Sequence, residues 1–266
     1  MAIITLTTDF GWADYYVGAV KGIIYQICPQ ATVVDVTHEV PPFDVLAGAL
    51  VLREIWRTFP PKTIHVAVVD PGVGSDRPIL MAKYANHFFL VPDNGILTLI
   101  HHLCRPEQVN MVTNAGLFCQ PVWPTFHARD IFAPVAAHLA KGLNPDQVGP
   151  RTDVLRLLDL PEPAPDEQGH LKGRVLHVDR FGNLVTNLSG DLIARTFGRG
   201  KNIAVTVNEM PVGPVRRTFA DAEPQAPVAY IGSAGLLEIG INQGRAEEVF
   251  RAGPHTTVRV EEAKSQ

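Results

Sequence analysis

The residues best placed to carry chemistry sit where apolar segments break into polar turns. In HVAVVDPGVGSDRP, residues 65–78, a β-branched run (Val66, Val68, Val69) stops at Asp70, Pro71 and two glycines, and Arg77 follows. A buried strand that ends in such a turn delivers its last side chain to the carboxyl edge of a sheet, where open α/β folds keep their ligands. His127, in PVWPTFHARD, precedes a predicted helix, another place where donors converge on a ligand. Asp9, Asp70 and His127 are together a carboxylate/imidazole set of the kind that binds a divalent cation. The fixed charge of Arg77 beside Asp70 counts against an added metal. Other chemistries lack their residues. GVGSDR has no Gly-Lys-Ser/Thr ending for a phosphate loop, no GxSxG elbow presents a serine, and no histidine pair has HExxH spacing.

The elements that must position these residues follow in order. AIITLTTDFG reads as a strand ending at Asp9, with Gly11 in the turn. Asp14 stands before a helix with Val17, Val20, Ile24 and Ile27 at helical spacing and is expected to cap it, with Pro29 closing it. ATVVDVTHEV is a second strand, PPFD a break, and Asp44 the cap of a helix that Pro60 and Pro61 terminate. TIHVAVVD, ILMAKY and HFFLVPDNG are three further strands, the last ending at Asp93. Strands alternating with helices imply a mostly parallel, covered sheet with Asp9, Asp70 and Asp93 along one edge. Asp130 is expected at the start of a helix closed by Gly142.

From Leu158 the composition shifts. LDLPEPAPDEQG is rich in proline and acids and reads as a stiff, exposed linker, followed by short strands with Gly, Pro and Asn turns and little helical periodicity. The expected organisation is an α/β domain over 1–157 with an α/β/α sheet, a linker over 158–169, and a smaller antiparallel β-barrel-like domain over 170–266.

A composition of 46% apolar and 19% charged residues, with net charge −4 over 266 residues, suits a globular protein with ample core. Charges are mixed and no basic stripe offers a nucleic-acid footprint. No apolar stretch approaches the ~20 residues of a membrane helix, and the N-terminus has no basic segment of a signal peptide. Cys28, Cys104 and Cys119 form neither a CxxC nor a paired framework, which fits a reducing cytoplasm.

TTDFG with Asp14 following, PPFD, VVDPGVGSDR, VPDNG, TFHARDIFAP, DRFGN and GSAGLLEIGINQG occur in this order across nearly the whole chain. This ordered set resembles the S-adenosyl-L-methionine hydrolases (hydroxide adenosyltransferases), relatives of the S-adenosylmethionine-dependent fluorinase and chlorinase. The resemblance implies an N-terminal α/β domain, a C-terminal β-barrel-like domain and a homotrimer with sites where neighbouring subunits meet. It also implies attack of water or hydroxide on the ribose 5′ carbon, releasing methionine and leaving adenosine, with no metal or other cofactor.

By that resemblance Asp70, Arg77 and His127 hold the water, Asp70 and His127 orienting it and accepting its proton. Asp9 takes both ribose hydroxyls, and Phe43 stands against the sugar where relatives have tryptophan. Asp14, Asp179 and Ser233 match contacts to the methionine ammonium and carboxylate. Asn183 matches a contact to the adenine edge and Phe219 a stack on it. Two positions depart from the pattern: Ala128 replaces the glycine after the histidine, and Ala234 stands where the halogenases have an arginine. The halogenases carry a tyrosine and a nonacidic pocket near the Asp70 position, so a carboxylate there favours water over a halide. A halide adenosyltransferase and a non-catalytic sensor of S-adenosylmethionine or adenosine are the alternatives. Local roles also fit several residues: a turn for Asn183, core for Phe43 and His127, caps for Asp14 and Asp130, and a structural part for Glu238.

Overall fold

Alternating branched residues build the first sheet, because odd and even positions of each strand face opposite helical layers. The computed structural model describes residues 2–263, and the chain divides into two compact units between Asp159 and Leu160. The first unit contains β1 (Ile3–Thr8), α1 (Tyr16–Ile27), β2 (Thr32–Thr37), α2 (Val45–Ile55), β3 (Ile64–Val68), β4 (Ile79–Tyr84), β5 (His87–Pro92), α3 (Thr98–Leu103), β6 (Gln108–Met111) and α4 (Ala133–Ala140). Its sheet runs in the order β2-β1-β3-β5-β4-β6. The pairs β1–β2, β1–β3 and β3–β5 are parallel, so the expected mostly parallel α/β sheet is observed and the ends of β1, β3 and β5 share one edge.

The sheet reverses at β4, which pairs antiparallel with β5 and β6. Ala85 and Asn86, with φ of 44° and 64°, form the tight reversal between β4 and β5, a turn whose twist matches the strands it joins. On one face Ile4, Leu6, Ile64, Val66, Val68 and Leu90 pack against Val20 and Ile24 of α1 and the apolar residues of α4. Asp44 caps α2 as expected, accepting the Ala47 N–H at 2.9 Å. Asp14 does not cap α1: Tyr15 occupies that position without a side-chain cap, and Asp14 lies exposed in the preceding turn. α3 and β6, too short to show a period, lie outside the expected elements.

The second unit is a closed barrel. It comprises β7 (Ala164–Pro165), β8 (Leu171–Val178), β9 (Leu184–Ser189), α5 (Gly190–Phe197), β10 (Ile203–Val207), β11 (Met210–Arg216), β12 (Pro227–Ile231), β13 (Leu236–Ile241), α6 (Ala246–Phe250) and β14 (Thr257–Glu262). The order β14-β10-β11-β12-β13-β9-β8 closes when β14 pairs back onto β8, while β7, within the expected linker, adds to the outside of β8. Leu171, Val175, Leu184, Val205, Leu237, Ile239, Val258 and Val260 fill its interior. The barrel is not wholly antiparallel: β11 and β12 run parallel. A parallel pair needs a crossover, here residues 217–226, and that crossover carries Phe219. α5 was hidden by its shortness, although Ser189 caps it by accepting the Leu192 N–H at 3.1 Å.

A polar chain crosses the face of the first sheet opposite α1. Thr5 Oγ1 lies 2.8 Å from His65 Nδ1, and His65 Nε2 lies 3.2 Å from His87 Nδ1, all three residues buried. Burial, and then His87, hold His65 down to about 3. Burial likewise holds His87, His101, His127 and His138 below the usual range. The unfolded chain therefore takes up protons below about pH 6.5 that the native chain refuses, so native stability is lost as pH falls through that window. For His65, whose native value lies far below that of the unfolded chain, the expected loss is up to about 1.4 kcal/mol per pH unit. Urea midpoints at pH 7, 6 and 5 should decline, with a shallower decline for His65→Gln; equal midpoints would mean that the histidines titrate alike in both states.

Candidate active site

Four segments at the carboxyl edge of the first sheet enclose a cavity of about 470 Å³. The turn after β1 brings Asp9, the segment between β2 and α2 brings Phe43, the turn after β3 brings Asp70, and the segment before α4 brings His127. These four predicted residues line one cavity, with Arg77 behind Asp70. Asp93, at the end of β5, does not line it; its carboxylate is buried and accepts the Arg156 N–H at 2.8 Å.

Asp70 and Arg77 form a forked pair. Arg77 Nε donates to Asp70 Oδ1 at 2.8 Å and Nη2 donates to Oδ2, with the side chains 4% and 8% exposed for Asp70 and Arg77 respectively. Arg77 Nη2 also lies 3.1 Å from His127 Nδ1. A guanidinium has no acceptor, so His127 Nδ1 must accept, which assigns the ring proton to Nε2. Burial and then the Arg77 cation hold His127 below the ordinary histidine range, against the pull of Asp70 and Asp130. His127 thus offers the cavity an N–H donor. The expectation that it accepts a proton does not fit that tautomer. Among the described residues no three His, Cys, Asp or Glu side chains converge as metal donors would.

Two contacts hold the loops that carry this group together. Gly74 has φ +80°, and a Cβ there would stand 2.8 Å from the Pro124 carbonyl oxygen, so the Asp70–Arg77 turn lies against the segment leading to His127 only because the position is glycine. Asp130 ties down that segment. It is not a helix cap but lies buried within a π-helical turn, Ala128–Phe132, that leads into α4. Asp130 Oδ2 accepts the Trp123 N–H at 2.9 Å, and Arg129 forks onto both its oxygens at 2.6 and 2.9 Å. The Arg129 guanidinium stands 4.9 Å from the centre of the Phe126 ring. Such π-turns occur often at functional sites.

Asp9 Oδ2 accepts the Phe43 N–H at 2.9 Å. Phe43 has φ +68° and is 70% exposed, so it is not core; its ring stands on the rim of the cavity. A bulky residue held in the left-handed region is strained, and such strain collects at ligand sites. The sequence reading missed an aromatic wall: Phe10, Tyr15, Tyr16 and Phe126 line the cavity, with Tyr16 and Phe126 edge-on at 5.2 Å. Its signal was the adjacent pair Tyr15-Tyr16, since neighbouring helical positions cannot both face one core. Asp14 is not among the lining residues.

In the second unit Asn183 and Phe219 line a separate cavity of about 480 Å³ with Phe181 and residues 241–245. Asp179 shapes it: Oδ1 accepts the N–H groups of Phe181 and Asn183 at 2.8 and 2.9 Å, and Oδ2 accepts Asn183 Nδ2 at 2.8 Å. Ser233 lies exposed in the turn between β12 and β13 and does not line this cavity. Glu238 has a structural part, accepting the Tyr230 hydroxyl at 2.8 Å.

Residues 4–149 match the model of the SAM hydroxide adenosyltransferase N-terminal domain and residues 173–259 that of the C-terminal domain. A Thermus thermophilus protein named (R)-S-adenosyl-L-methionine hydrolase is 40% identical over 253 residues, covering 91% of this chain and 93% of that one. A Salinispora arenicola protein of the same name is 38% identical, covering 97% of both. A Nocardia brasiliensis fluorinase is 29% identical, covering 90% of both. The crystal structure of an uncharacterized conserved protein from Thermotoga maritima superposes with TM-score 0.90 at 34% identity, covering 98% of this chain and 99% of that one.

The strain at Phe43 yields a stability prediction. A left-handed non-glycine residue costs about 1–2 kcal/mol, and glycine gives back about 0.5–1 kcal/mol through unfolded-state entropy. Phe43→Gly is therefore expected to leave stability unchanged or raise it by up to about 1.5 kcal/mol, as read by urea unfolding. A clear loss would show that the ring packs structurally.

Proposed function

The chain belongs to the SAM hydroxide adenosyltransferase family, and from that premise we propose that it hydrolyses (R)-S-adenosyl-L-methionine to adenosine and L-methionine. The observation that carries the reading is the forked Asp70–Arg77 pair, joined by His127, on the wall of an aromatic-lined cavity. A sulfonium is already a good leaving group. The enzyme's task is to hold a water in line with the C5′–S bond and exclude competing solvent. As the water oxygen bonds to C5′, the C5′–S electrons pass to sulfur and methionine leaves as a neutral thioether.

In this reading Asp70 accepts a hydrogen bond from the water and takes its proton, and His127 Nε2–H donates to the water oxygen and fixes its lone pair. Arg77 holds both in place. A halide in this position would face the Asp70 carboxylate, which favours water as nucleophile over the halide chemistry of the fluorinases. Asp9 receives the ribose hydroxyls and Phe43 covers the sugar. Asn183 and Phe219 take the adenine, and Asp14, Asp179 and Ser233 serve the methionine end. The work is done without a metal or other cofactor. We further propose a homotrimer, with each site completed by a neighbouring subunit, acting in the cytoplasm. The exposed aromatic rim formed by Tyr15 and Phe43 supports such an assembly.

The decisive experiment supplies the resolved R and S sulfonium epimers, with and without chloride and chelator, and separates the products. Adenosine and methionine from the R epimer, independent of halide and chelator, are expected; a 5′-halogenated nucleoside would overturn the argument from Asp70, and chelator inactivation would restore the metal alternative. Asp70→Asn should lower kcat by about 10²-fold or more while adenosine affinity stays within a few-fold. Parallel loss of both would make Asp70 a binding residue.

A further inference from the structure

His38, at the end of the β2 segment, is 1% exposed and does not line the cavity. It nevertheless holds the turn that carries Asp9 at three points. Its carbonyl accepts the Gly11 N–H at 2.8 Å. Its Nδ1 lies 2.8 Å from Thr8 Oγ1, which itself accepts the Phe10 N–H at 3.3 Å. Its ring meets the Trp12 indole edge-on at 4.6 Å.

The hydrogen-bond directions form one consistent chain. The Thr8 hydroxyl accepts from Phe10 and shares a hydrogen bond with His38 Nδ1, and because a carboxylate only accepts, His38 Nε2–H donates to Asp35 Oδ1 at 3.0 Å. Asp35 is in turn paired with Lys21. Gly11 has φ +66°, so the turn leaves β1 abruptly, and Asp9 sits between the points that His38 fixes. An apolar ring would fill the volume but would leave the Thr8 hydroxyl without its buried partner.

We propose that His38 is a positioning residue for the ribose site: it sets the Asp9 turn so that the carboxylate meets both hydroxyls of the sugar, while touching no substrate itself. The proposal rests on the reading of Asp9 as the ribose carboxylate, and the test separates the two. Affinities of adenosine and 2′-deoxyadenosine are measured by calorimetry on the full chain. The wild type should prefer adenosine by roughly tenfold, the order of one good hydrogen bond to a charged group. His38→Ala should lose most of that preference, with KM for S-adenosylmethionine raised more than kcat is lowered. His38→Asn, which can again hydrogen-bond Thr8, should restore much of it. If His38→Ala does not fold, Thr8→Val breaks the same link and should give the same loss of preference. Uniformly weaker binding with the wild-type preference retained overturns the role of His38. A wild type that binds but is indifferent to the 2′-hydroxyl removes Asp9 from the ribose and the proposal with it. A wild type that binds neither nucleoside overturns the functional reading on which both depend.

Discussion

The first unit is arranged around one costly requirement, a nearly dry carboxylate and a nearly dry guanidinium held together at the end of β3. Removing two such charges from water costs several kcal/mol for each. The fork between Asp70 and Arg77 offsets this by meeting both carboxylate oxygens at once, and His127 takes a further guanidinium N–H. The pair is better understood as a fixed electrostatic tool than as a source of stability. Around it the chain economises on freedom: a strand end sets Asp70, a left-handed glycine lets the turn lie against Pro124, and Asp130 anchors the segment that delivers His127.

Imidazoles recur as rigid links between polar groups. His127 accepts from Arg77, His38 links Thr8 to Asp35, and His65 links Thr5 to His87. An imidazole offers two polar ring atoms at a fixed separation, which no apolar side chain of that size can do. The His38 link joins β1 to β2 and the His65 link joins β1, β3 and β5, so these strands are coupled through side chains as well as through their ladders.

The placement of Asp9 and Asp70 was legible in the sequence because the cue is local: an apolar strand stops and a glycine turn follows. Phe43 was legible as a candidate but not its strained backbone, which depends on the N–H it gives to Asp9, far away in sequence. Asp130 looked like a helix cap because an acid before an apolar helix usually is one; its partner, the Trp123 amide, is set by a loop whose path no periodicity reveals. His127 was found as a residue, but its proton could be assigned only once Arg77 was seen to face Nδ1. In the second unit strand existence was readable, whereas the parallel run of β12 along β11 was not, since pairing partners are a nonlocal choice.

Closure of the barrel has a consequence for how the chain can meet other chains. With β14 bonded to both β8 and β10 the ring of strands closes, and the two-residue β7 outside β8 is too short to template growth. In the first sheet β6 is flanked by residues 150–152, whose backbone bonds with Val109 and Met111 occupy its outer side. That leaves β2 as the open margin, and its Asp35 is engaged with Lys21 and His38. In the first sheet, among the described residues, strand-to-strand templating is therefore limited to that six-residue margin, which bears a buttressed charge.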